Sequence, residues 1–171
     1  MQLTPEQALM MRGVLLGGIR GEYETTKKVL AAMPADQLDF KLGDKGRTMR
    51  QLAHHIVESE IWFAEWLQTG AMGQEVQTPA DLTKEAILAR FDKDVPTAIG
   101  KVEAMTGDQL AREMEFFGAF NYSAVIYLTF WSAHTIHHRG QLSTYLRALN
   151  AHVPSIYGGS ADEPFEVTAT A

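Results

Sequence analysis

The chain contains no cysteine, and that absence removes disulfides, thiolate metal sites, cysteine nucleophiles and redox pairs together. Positive charge is scarce as well. Fifteen Lys and Arg against 21 Asp and Glu leave a formal net charge of −6, so there is no basic field to hold a phosphate backbone and nucleic acid is excluded as a partner. Long apolar runs are also lacking. The longest nearly apolar stretch, from Ala119 to Ala133, is broken by Asn121, Tyr122 and Ser123 and falls short of the roughly 18 residues a membrane span needs. The N-terminus, Met1-Gln2-Leu3-Thr4-Pro5-Glu6, has neither the basic start nor the apolar run of a signal peptide. These absences together point to a cytoplasmic protein with no membrane partner. A chain of 171 residues, 46% hydrophobic and 21% charged, has the composition of one domain covering residues 1–171.

What is present is helical periodicity. Thr4, Pro5 and Gln7 form a helix-start signature, and Ala8, Met11, Leu15, Ile19, Tyr23, Thr26, Leu30 and Met33 then recur every three or four residues up to Pro34. Gly17, Gly18 and Gly21 lower the propensity of this helix and point to either a close helix contact or a local bend. Residues 34–47 read as a loop. Thr48 and Gln51 repeat the capping pattern, and Leu52, Ile56, Trp62, Phe63 and Leu67 carry a second helix to Gly70. Thr83 caps a third helix running to Met105, which Pro96 should kink or split. The segment 107–118 has no clear period. A fourth helix is expected from about Asn121 to Leu149, followed by a coil from about 150 that holds Pro154, Gly158 and Gly159. No alternating strand pattern of useful length occurs, so the expected fold is all-α, an antiparallel four-helix bundle.

Six histidines are the other informative feature: His54, His55, His134, His137, His138 and His152, five of them in two tight clusters. A helix advances about 100° per residue, so His134 and His138 stand about 40° apart, one turn above the other, where two imidazoles can grip one ion. The second helix offers a third ligand. Ser59, Trp62 and Trp66 share the His55 face, which is largely aromatic and hence internal, and this favours His55 over His54. Three neutral imidazoles leave a coordination position open for water or substrate, the arrangement of a working site. Gln141 and His137 lie close enough to the His134 face for supporting hydrogen bonds, Glu58 is near His55, and Tyr127, Phe130 and Trp131 precede His134 as an aromatic wall. Those aromatics serve equally well as core packing. Two sharper motifs fail. Thr135 stands where a zinc protease needs its glutamate, and no Glu-x-x-His occurs for a di-iron bundle.

The run His134-Thr135-Ile136-His137-His138-Arg139-Gly140-Gln141-Leu142, followed by Tyr145-Leu146-Arg147, resembles the signature of the DinB (damage-inducible) family. Val153 to Gly158 and Thr48 to Glu60 resemble further parts of it. The resemblance implies a four-helix bundle, a homodimer, and one divalent metal held by a histidine triad that falls here on His55, His134 and His138. It also implies kinship with metal-dependent transferases that use low-molecular-weight thiols such as bacillithiol, mycothiol or glutathione.

Three functions compete on this reading. The first is thiol S-transfer to a small-molecule electrophile held in an apolar pocket, with the sulfur supplied by a cofactor because the chain has none of its own. The second is non-catalytic binding of a metal or small ligand in a stress response. The third is hydrolysis, with Glu58 as base. Three histidines suit Zn, Ni or Fe, and Cu as well. In the first case Arg139 and Arg147 are candidates for the thiol's carboxylates, and surface or ion-pair roles suit both equally well.

Overall fold

The computed structural model describes residues 3–164, and the fold it shows is mostly helical. Met1 and Gln2 of the N-terminal reading, and residues 165–171 of the expected coil, lie outside the described residues. Four long helices are present: α1 (Pro5–Ala31), α2 (Met49–Thr69), α3 (Lys84–Glu103) and, after a five-residue α4 (Gly107–Ala111) and a β-hairpin, α5 (Tyr127–Ala148). The main packing makes a ring: α1 lies on α3 and α5, and α2 lies on the same two. None of the described helices is long and apolar enough to cross a membrane.

The three threonine caps act as their sequence context requires. Thr4, Thr48 and Thr83 accept the backbone N–H of Gln7, Gln51 and Ala86, and the Gln7 and Gln51 side chains return the bond to the cap backbone. α2 stops at Gly70, whose φ of +76° closes the helix in the left-handed region that suits glycine. Pro96 neither splits nor ends α3, which runs through it unbroken. Among the described residues no atom lies within 4 Å of where side chains would begin at Gly13, Gly17, Gly18 and Gly21, so these glycines serve no close helix contact there.

The largest departure from expectation lies between α4 and α5. Residues 113–123 form a two-stranded antiparallel hairpin, β1 (Glu113–Phe116) with β2 (Phe120–Ser123), so α5 begins at Tyr127 and not near Asn121. The apolar run that reads as the start of a helix is instead spent on β2 and the single 3-10 turn Ala124–Ile126. Tyr127 is fully buried and fastens the hairpin, its hydroxyl 2.8 Å from the Met114 carbonyl oxygen and accepting the Tyr122 N–H at 3.2 Å.

The core fills the ring with Ile56, Phe63, Trp66 and Leu67 from α2, Phe91 and Val95 from α3, and Leu128, Trp131, Leu142 and Leu146 from α5. One polar cluster is buried in it. Glu60 of α2 accepts hydrogen bonds from Trp131 Nε1 and Thr135 Oγ1 of α5, both at 2.6 Å. Arg139, 1% exposed, donates to Glu22 and Thr26 of α1 and to the Tyr157 hydroxyl in the C-terminal coil.

Candidate metal centre

His55 rises from the middle of α2, and His134 and His138 from successive turns of α5. Each of the three offers a ring nitrogen within 4.8 Å of the others, the one such grouping of histidines and carboxylates among the described residues. His55 Nε2 and His134 Nε2 are 3.1 Å apart. Two imidazoles on one ion, with bonds of about 2.0–2.1 Å, stand about 3 Å from each other, so the spacing fits a shared ion.

Protonation also fits. Burial pulls His134 down to about 3, with His138 and His55 adding to the effect, and pulls His55 down to about 4, helped by the Arg47 guanidinium and by His138. Burial lowers His138 as well, against the opposing hydrogen bond to Gln141. All three rings are therefore neutral near pH 7, with lone pairs free to bind a cation. His138 Nδ1 lies 2.8 Å from Gln141 Oε1, which can only accept, so Nδ1 carries the hydrogen and Nε2 is left to bind. Gln141 thus supports His138 and not His134. His134 Nδ1 is buried with no partner, and its ring is placed by packing against Phe63, 5.8 Å between centres.

Two of the three histidines, His55 and His134, line a pocket of about 800 Å³. Gln51, His55, Ser59 and Trp62, spaced four, four and three along one face of α2, form its floor, and His134, the segment 73–78 and the hairpin tip complete it. One end is polar, with Arg47 bonded to Glu75 at 3.0 Å, and the other is aromatic, with Trp62, Phe63, Phe116 and Phe117.

Several expected site residues stand elsewhere. Tyr127 and Trp131 do not line the pocket: both are fully buried behind it, Trp131 stacking on Phe63 at 6.2 Å and 5°. His137 is exposed, its ring 4.9 Å from that of His138 and outside the three-histidine group. Glu58 lines the pocket but is committed to Arg90, Oε2 to Nη2 at 3.0 Å, and lies 3.6 Å from His54 Nε2. His54 is buried, yet its Nδ1 faces the Thr78 hydroxyl at 3.0 Å and not the triad. Arg139 and Arg147 are absorbed in ion pairs with Glu22 and Asp162. The cation that does border the pocket is Arg47. Like Phe116 and Phe117, it sits in a non-helical segment where periodicity carries no signal.

The family model for the DinB family matches residues 9–166. The chain belongs to the DinB family. The uncharacterized protein YjoA of Bacillus subtilis is 26% identical over 130 residues, 72% of this chain and 81% of that protein. Its crystal structure superposes with a TM-score of 0.67, at 19% identity over 83% of this chain and 96% of that one. The crystal structure of a DinB-like protein from Bacillus cereus matches at the same TM-score, with 25% identity over 92% of this chain and all of that one. A mycothiol-dependent maleylpyruvate isomerase shares the fold more distantly, with a TM-score of 0.53 and 14% identity over 82% of this chain and 61% of that chain. The expected fold class and family are thus both borne out, with the hairpin as an addition.

Proposed function

We propose that this DinB protein binds one divalent ion through His55, His134 and His138, and uses it to transfer a low-molecular-weight thiol to a small electrophile. The observation that carries the reading is the convergence of three neutral imidazoles, two of which, His55 and His134, line a pocket large enough for substrates. A divalent ion at these nitrogens supplies the charge that keeps a thiol ionised at neutral pH, which a free thiol, mostly protonated there, seldom achieves. The chain's own residues do the rest. His138 is oriented by Gln141, Arg47 offers a cation to an anionic part of the thiol by giving up Glu75, and the aromatic end of the pocket excludes water around the electrophile. With no cysteine in the chain, the sulfur has to come from outside. The fold shared with a mycothiol-dependent enzyme supports that choice of nucleophile. The hydrolytic reading loses its base, because Glu58 is held by Arg90.

The test is metal-stripped protein titrated by calorimetry with zinc, nickel and ferrous iron, then incubated with glutathione, bacillithiol or mycothiol and a generic electrophile. One ion per chain and metal-dependent conjugation are expected. Metal uptake without turnover from any thiol would leave the non-catalytic binding reading, and no uptake would overturn both.

The same reading takes the protein as a cytoplasmic homodimer joined through α1. Met10 and Val14, 75% and 74% exposed, share a stripe with Gly17 and Gly21, where a second helix can approach closely. Sedimentation of wild type against Val14→Glu tests it, with dissociation of the variant expected.

A further inference from the structure

The pocket's aromatic end holds two rings in a particular relation. Trp62 is a fixed plate: its Nε1 donates to the Gly73 carbonyl at 3.2 Å, its ring stacks on Trp66 at 5.5 Å and 19°, and it meets the edge of Phe63 at 5.1 Å. Phe117 faces it from the tip of the β1–β2 hairpin, its plane within 6° of parallel and its centre 6.4 Å away. Rings that stack directly in this protein have centres from 4.8 Å apart, for Tyr23 and Phe91, to 6.2 Å apart, for the offset pair Phe63 and Trp131. A third ring inserted between two others needs two contact gaps of about 3.5 Å each, or about 7 Å in all. The Trp62–Phe117 spacing is that of an offset stack, so the exposed Phe117 ring shields part of the Trp62 plate, and admitting a third ring between them takes a displacement of the hairpin tip.

Phe117 is costly where it stands. It is 70% exposed, and its φ of +50° puts a bulky residue in a region where asparagine or glycine is far less strained. Neither core packing nor turn geometry calls for an aromatic ring there. Along α2, Trp62 lies seven residues beyond His55, about 10 Å of helix rise, so a group held at Trp62 can extend a reactive end back to the histidines.

We infer that Trp62 and Phe117 clasp a flat conjugated group of the electrophile, which makes the substrate class aryl or otherwise planar and unsaturated and not a puckered or branched aliphatic. The assignment rests on reading the pocket as a substrate site, and it is tested without metal, thiol or turnover. The probes are 1-naphthol and its saturated counterpart decahydro-1-naphthol, titrated into metal-free protein by calorimetry while the Trp62 indole N–H signal is followed by NMR. Naphthol should bind about tenfold more tightly than the decahydro compound and shift the Trp62 signal. Phe117→Leu keeps an apolar side chain at an exposed position and should remove most of that preference, and Trp62→Leu should do the same. Equal affinity for the two probes, or an undiminished preference in both variants, would overturn the assignment even in a protein that binds zinc at the triad. A naphthol preference in a protein that takes up no metal would uphold the clasp and overturn only the metal reading.

Discussion

Two polar clusters tie α2 to α5, barely two turns apart, and they are opposites. Around Glu60 and Arg139 the polar groups find partners inside the protein: both Glu60 carboxylate oxygens accept bonds from α5, and Arg139, one turn beyond Thr135, bonds to α1 and the C-terminal coil. In the histidine cluster the hydrogen-bonding capacity is only partly met. Neutral ring nitrogens face one another at 3.1 Å and His134 Nδ1 has no partner. Burial alone separates neither from ordinary core chemistry. What separates them is whether the hydrogen-bonding capacity closes on itself, as in a brace, or stays open toward a pocket, as in a binding site.

The comparison breaks if both clusters respond alike to mutation. The largest effect is expected in the brace: Arg139→Ala strands Glu22 and Thr26 and should cost about 3–5 kcal/mol of folding stability, read from urea denaturation. It should change metal affinity little in whatever protein remains folded. In the open cluster the pattern reverses. Alanine at His55, His134 or His138 should weaken metal binding by more than about 100-fold, over 2.8 kcal/mol by calorimetry, while leaving the urea midpoint of metal-free protein nearly unchanged. His54→Ala is the control that sharpens this. It should retain the ion yet lose some stability, since His54 is buried against Thr78. Gln141→Ala should cost between about 10- and 100-fold in affinity by freeing the His138 ring.

The smallest effect is a difference in pH dependence. The histidines are depressed below their ordinary value, to about 4 for His55 and about 3 for His134, so their neutral burial stabilises metal-free protein above pH 6.5 and the benefit is lost as pH falls toward those values. Glu60 runs the other way. Burial raises it to about 7 against the two hydrogen bonds it accepts, so its contribution is full below about 4.5 and lost as pH rises through about 7. Stability of the metal-free protein should therefore peak near pH 6.5, and Glu60→Gln should remove the decline on the alkaline side. A profile with no acid limb would show that the imidazoles are not buried neutral. The same depression means that protons compete with a metal only well below pH 6.5, lower than the ordinary histidine value alone would suggest.

Legibility in the sequence follows the range of each signal. Caps and 3.6-residue periodicity are local, so Thr4, Thr48 and Thr83 mark helix starts, and the face shared by His55, Ser59 and Trp62 is seen on α2 alone. The hairpin escapes because strands of four residues are too short for alternation to show, and its apolar residues run on into α5. Arg47, Phe116 and Phe117 escape because loops and turns bring them to the pocket. The Tyr145 hydroxyl, for instance, donates to the Arg47 carbonyl from 98 residues away, a contact no local pattern encodes. Tyr127 and Trp131 lie on the correct helix, but a wheel does not show that Phe63 packs over Trp131, or Trp66 and Phe116 over Tyr127.

That His55 and His134 are 79 residues apart also sets a timetable for the newborn chain. At about 5–20 residues per second, His55 is made roughly 4–16 s before His134 on α5. No ion can template the early helices in that interval. On the proposed reading, an ion held by all three histidines is therefore bound only once α5 has been made, late in the chain's synthesis.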